Sequence, residues 1–89
     1  MKILVPIQFR KVVDGLSETN VDGATVGEVL NKFISQFEPL KERLYKDDGK
    51  LNKFLNIYVN DEDIRFLAGE STPVKDSDIL SIIPAVAGG

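Results

Sequence analysis

The chain contains no cysteine and no histidine. Without cysteine there are no disulfides, thiolate nucleophiles, iron–sulfur clusters or thiolate zinc sites. Without histidine the usual general base and the commonest metal ligand are missing. Long apolar runs are absent too: nothing approaches a membrane span, and Lys2, Arg10 and Lys11 enclose strand-like sequence without a small-residue cleavage site. The expected compartment is therefore the cytoplasm, with no membrane partner. Basic residues are outnumbered, 11 Lys and Arg against 14 Asp and Glu for a net charge of -3, which argues against nucleic acid, since phosphate neutralisation needs a basic face. What remains is 89 residues, 43% hydrophobic and 28% charged, without repeats or low-complexity tracts. That is one domain with a single modest core.

The remaining chemistry-bearing groups are carboxylates, lysines and hydroxyls. Asp61, Glu62 and Asp63 contain the two acids that glycoside hydrolysis needs, but in a solvated turn of so short a chain no cleft is expected to perturb them. Asp47-Asp48 and Asp76-Ser77-Asp78 lack the length and spacing of a calcium loop. Gly27-Glu28 lacks the glycine-rich loop and Lys-Ser/Thr of a nucleotide site. The chain is expected to be no autonomous enzyme, with no catalytic residue, metal or cofactor of its own.

Residues 3–9 are rich in β-formers, and Pro6 inside the run predicts an edge or bulged first strand. Asp14-Gly15 and Asp22-Gly23 carry turn chemistry and bracket a short strand near Glu18 to Val21, completing a hairpin. Thr25 with Glu28 is a capping box. From Val26, the residues Val29, Leu30, Phe33 and Phe37 fall on one helical stripe, so these aromatics belong to a core. Pro39 stops that helix, and Leu40, Leu44 and Tyr45 predict a short helical turn closing one end of the core. After a polar loop over 46–50, residues 54–60 alternate, with Leu55, Ile57 and Val59 on one face and Phe54, Asn56 and Tyr58 on the other. Residues 60–63 read as a polar turn, Ile64 to Leu67 as a short strand, and Ala68 to Pro73 as an irregular loop. The last strand, Ile79 to Ile83, puts Leu80 and Ile82 inward and Ile83 on the opposite face. This order predicts a mixed α+β domain of the β-grasp type: a four- to five-stranded sheet crossed by one main helix, with the first and last strands parallel at its centre. The domain is expected over residues 1–84, followed by a mobile tail, 85–89.

The sequence closes on Pro84-Ala85-Val86-Ala87-Gly88-Gly89. Two residues without Cβ let a tail pass where larger side chains would clash, which suits delivery of a free terminal carboxylate into a narrow active site on another protein. A carboxylate is a poor electrophile, so chemistry at Gly89 requires activation, for which joining to AMP supplies a leaving group.

This tail, following Ile79-Leu80-Ser81-Ile82-Ile83, and the segment from Asn56 through Asp61 to Phe66 together resemble the ThiS/MoaD family of ubiquitin-like sulfur carriers. Within it the second segment looks most like the branch serving cysteine biosynthesis. The resemblance spans nearly the whole chain. It implies that Gly89 is adenylated by an E1-like enzyme using that enzyme's ATP and becomes a thiocarboxylate. Gly88, Ala87 and Val86 would enter the partner's channel. It further implies docking through the exposed sheet face, with Ile83 beside Tyr58 and Phe54, and with Pro6 as a further contact. The implied acceptor is a pyridoxal-phosphate-dependent cysteine synthase, with a zinc peptidase of the JAMM type releasing the product. Two alternatives remain open: the small subunit of molybdopterin synthase, acting with its large subunit in molybdenum cofactor synthesis, and a ubiquitin-like protein modifier.

Overall fold

The computed structural model describes residues 1–46, 49, 51 and 55–84. The expected tail, 85–89, and Phe54 lie outside the described residues. Five strands form one mixed sheet: β1 (Lys2–Leu4), β2 (Glu18–Asn20), β3 (Leu55–Val59), β4 (Glu62–Asp63) and β5 (Ile79–Pro84), in the order β2-β1-β5-β3-β4. β1 and β5 run parallel, with Lys2 opposite Ile79 and Leu4 opposite Ser81, and every other pairing is antiparallel. The central β5 is thus flanked by strands on both edges, as a β-grasp arrangement requires.

The first strand is shorter than the run of β-formers in residues 3–9 predicts. Pro6, with φ of -68°, has no N–H to continue a ladder and opens a 3₁₀ helix over Ile7–Val13. That helix turns Phe9 and Val13 into the core, and Asp14 and Gly15 end it with positive φ. The hairpin to β2 survives as an antiparallel pair around this excursion.

Helix α1 (Val26–Gln36) begins at Thr25, whose Oγ1 accepts from the Glu28 N–H at 3.3 Å. The reciprocal half of the box differs from expectation, because the Glu28 carboxylate accepts from the Thr25 hydroxyl at 3.5 Å. Val26, Val29, Leu30 and Phe33 are wholly buried, while Phe37 lies at the core margin, its ring edge-to-face with Phe33 at 5.8 Å between centroids. Pro39 then opens α2 (Leu40–Leu44), and Leu40 and Leu44 close the core. Gly27 packs against the backbone of a 3₁₀ turn at Gly69–Ser71, where an added Cβ would stand 3.2 Å from the Glu70 carbonyl oxygen. Tyr45 Oη donates to Glu70 Oε1 of the same turn at 2.8 Å.

The polar turn expected over 60–63 is reduced to Asn60-Asp61, and Glu62–Asp63 pair with β3 as β4. Ile64–Phe66, expected as a strand, form a 3₁₀ turn instead. The Asp63 side chain accepts from the Arg65 N–H at 2.8 Å, which bends the chain out of the ladder and lets Ile64 be buried.

Candidate partner-docking surface

The sheet is covered on one face only. Ile3, Leu55, Ile57, Val59, Leu80 and Ile82 point inward to join the core, so the alternate residues Leu4, Asn56, Tyr58, Ile79, Ser81 and Ile83 form the outer face. No element of the described structure packs over that face. Ile83 is 46% exposed there, whereas its neighbour Ile82 is 3% exposed.

The strand register fixes how the expected contact residues meet. Asn56 stands opposite Ile83 and Tyr58 opposite Ser81, so half-buried Tyr58 is a diagonal neighbour of Ile83, within reach of a long side chain. Pro6, half-buried, follows Leu4 by two residues at the end of the sheet where β5 reaches Ile83, since β1 and β5 are parallel. Phe54 and the expected tail residues Val86, Ala87, Gly88 and Gly89 lie outside the described residues.

Several members of this surface escaped the sequence reading. Leu4 and Ile79 are exposed beside Ser81 and Lys2 respectively. Their place follows from the alternation already used for Ile83, once the parallel register is known. Arg65 is a second omission: its guanidinium donates from Nε and Nη2 to the Asp63 carboxylate and from Nη2 to Asn56 Oδ1 at 2.5 Å. A residue assigned to a continuing strand gave no signal for that clamp. On the opposite border Lys2 Nζ lies 3.3 Å from Glu18 Oε2. Two ion pairs thus flank an apolar stripe.

Electrostatically, hydrogen bonds from the Arg65 side chain, and then from its backbone N–H, hold the Asp63 carboxyl below the usual carboxylate range. In the turn that follows β3, Asn60 adopts φ of 58° and ties the turn to β5, its Oδ1 accepting from the Ile79 N–H at 3.0 Å and its Nδ2 donating to Asp78 Oδ1 at 3.1 Å. That bond, with one from the Lys75 N–H, lowers the Asp78 carboxyl as well. Away from the sheet face, burial and then the bond to Glu70 push the Tyr45 hydroxyl well above its ordinary value.

The solvated turn expected over Asp61, Glu62 and Asp63 holds for Asp61 alone, since Glu62 and Asp63 form β4 and Asp63 is buried against Arg65. Asp61 and Glu62 are exposed, and Asp63 is committed to Arg65. Among the described residues there is no group of three or more acidic, His or Cys side chains placed to hold a metal ion, and no helix long and apolar enough to cross a membrane. The surface offers apolar contact bordered by fixed charge, a chemistry of docking.

Comparison with known proteins bears on what docks. The chain matches the model of the ThiS family over residues 3–89. It is 39% identical over 89 residues to the sulfur carrier protein CysO of Mycobacterium tuberculosis (strain ATCC 25618 / H37Rv), covering 98% of this chain and 96% of that protein. Its fold superposes on the crystal structure of the Amycolatopsis orientalis BexX/CysO complex with a TM-score of 0.89 at 43% identity, covering 99% of this chain and 98% of the other. The solution structure of small archaeal modifier protein 1 from Methanosarcina acetivorans matches with a TM-score of 0.88 at 30% identity, over 99% and 94% of the two chains.

Proposed function

The chain belongs to the ThiS family, and on that premise we propose that it is a sulfur carrier acting as a protein co-substrate, with Gly89 as the residue that bears sulfur. The Gly89 carboxylate attacks the α-phosphorus of ATP on an E1-like enzyme, and pyrophosphate leaves. A sulfide-level sulfur then displaces AMP from the acyl carbon, giving the thiocarboxylate. Ile83, Tyr58 and the neighbouring outer face dock the body of the domain, while Val86, Ala87, Gly88 and Gly89 enter the enzyme; Phe54 and Pro6 extend that contact. The acceptor proposed is an activated serine derivative held by a pyridoxal-phosphate-dependent cysteine synthase. The thiocarboxylate sulfur displaces the leaving group, an acyl shift from sulfur to nitrogen leaves cysteine amide-linked to the tail, and a JAMM-type zinc peptidase hydrolyses that bond.

The observation that carries this reading is the family match, which runs through Gly88 and Gly89. The likeness to CysO over almost the whole chain supports the choice of acceptor. Its test is the intact mass of the purified chain after incubation with ATP, an E1-like enzyme from the same cell and a sulfide source. A shift equal to one oxygen replaced by sulfur, abolished by deleting Gly89, is expected. No shift with any activating enzyme of that cell would sink the reading.

A protein modifier is the second reading, favoured by the likeness to small archaeal modifier protein 1. Both readings share adenylation, so isopeptide-linked conjugates at target lysines in cell extract would separate them. Transfer to the pterin of molybdenum cofactor synthesis changes only the acceptor, and complex formation with the molybdopterin synthase large subunit in place of the cysteine synthase would reveal it.

A further inference from the structure

Phe66 is 86% exposed, the most solvent-facing large hydrophobic residue among those described. Its place in the fold gives that exposure a use. Tyr58 pairs with Asp63, and two residues on the Arg65 side chain reaches Asn56, so the 3₁₀ turn Ile64–Phe66 follows β4 on the outer border of β3. Leu55 in turn faces Pro84, the last residue of β5. Phe66 therefore stands on the β4 border of the sheet, and β3 alone separates that border from β5, about two strand spacings or ~10 Å across. A chain of five residues spans no more than about 17 Å. Any enzyme that takes Gly89 into its active site must press its entrance against the domain within that reach of Pro84, and the β4 border is the near flank of β3 on that side.

Next to Phe66 in the chain is a cation already fixed in place. The described bonds of Arg65 engage Nε and Nη2 and point them inward to Asp63 and Asn56, while the side chain as a whole is 62% exposed. The two N–H groups of Nη1 are left for an outside acceptor, and the rigid clamp has already spent much of the side-chain freedom that docking would otherwise cost. An aromatic next to a preorganised arginine is the composition of an interface hot spot.

We propose that Phe66 and Arg65 are the specificity anchor for the tail-receiving, E1-like enzyme: Phe66 fills an apolar pocket beside that enzyme's channel, and Arg65 meets a carboxylate on the pocket rim. This rests on the carrier reading and adds a second contact point at the sheet edge, apart from Ile83 on the face. The experiment is steady-state thiocarboxylation with the same E1-like enzyme, ATP and sulfide source, comparing wild type, Phe66→Ala, Phe66→Leu and Arg65→Lys. Phe66→Ala is expected to raise KM for the carrier roughly tenfold or more with kcat unchanged, while Phe66→Leu recovers part of the loss. Arg65→Lys keeps the charge but loses the fork and should raise KM by a smaller factor. The melting temperature of Phe66→Ala should equal that of wild type, as an exposed side chain requires. Wild-type KM in Phe66→Ala overturns the anchor while leaving the carrier reading intact, whereas absence of loading in wild type strikes the carrier reading itself. Sedimentation of the free wild-type chain as a dimer that Phe66→Ala dissolves would assign the patch to a second copy and overturn the proposal.

Discussion

Ile82 and Ile83 are adjacent, chemically identical and in the same strand, yet one is sealed in the core and the other is 46% exposed. The difference is the second layer. Helix α1 lies against one face of the sheet, so alternate residues of β1, β3 and β5 meet opposite surroundings, an apolar core inside and solvent outside. Burial on the inner face is supported by apolar contact on every side. On the outer face the same side chains forgo that contribution, which makes them available to another protein.

Substitution is the direct way to break this contrast. Removing Phe33, wholly buried beneath the sheet, should cost about 3–5 kcal/mol, read as a loss of most of the urea-unfolding free energy. Ile82→Ala should cost about 2–4 kcal/mol by the lost transfer energy and residual cavity. Ile83→Ala should change stability by less than about 0.5 kcal/mol while raising KM for thiocarboxylation. Equal melting temperatures for the two isoleucine variants would collapse the distinction between faces. Asn60→Ala is expected to cost about 1–2 kcal/mol, because it removes the bonds to Ile79 and Asp78 and places alanine at a positive φ; thermal unfolding reports it.

The smallest expected effect sharpens the picture at the outer border. The carboxyl groups of Asp63 and Asp78 are both held below their ordinary range by hydrogen bonds present only in the fold. A depressed folded pKa means that the stabilisation is complete above the unfolded value of about 4 and disappears as pH falls through the folded values. Urea midpoints measured from pH 6 downward should therefore decline on the acid side, and Asp63→Asn, which keeps an acceptor for the Arg65 N–H, should flatten that decline. An unchanged acid slope in the variant would show that the Arg65 clamp contributes nothing to the fold.

Much of this architecture is legible in the residue order. Thr25, the stripe from Val26 to Phe33, and the alternation in 55–59 and 79–83 each specify an element with neighbours close in sequence, so local chemistry suffices. The same alternation placed Ile83 outward before any fold was known. Two elements misled. Ile7 to Phe9 and Ile64 to Phe66 carry strand-forming side chains, yet both lie in 3₁₀ turns. Burying Phe9, Val13 and Ile64 in the shared core outweighs a propensity that is itself a measure of packing context.

Composition and pattern by themselves determined the class of fold, the inward residues of the strands over 55–59 and 79–83, the helix start and the absence of thiol and imidazole chemistry, because each depends on residue type or on spacings of a few positions. Only the tertiary structure decided that Leu4, Ile79 and Ile83 share one surface, that Arg65 closes onto Asn56 and Asp63, and that Phe66 stands exposed on the β4 border. Those relations join residues up to 79 positions apart, Leu4 with Ile83, through a parallel pairing whose partners and register are set by packing against α1, and no local stretch of chain contains that information.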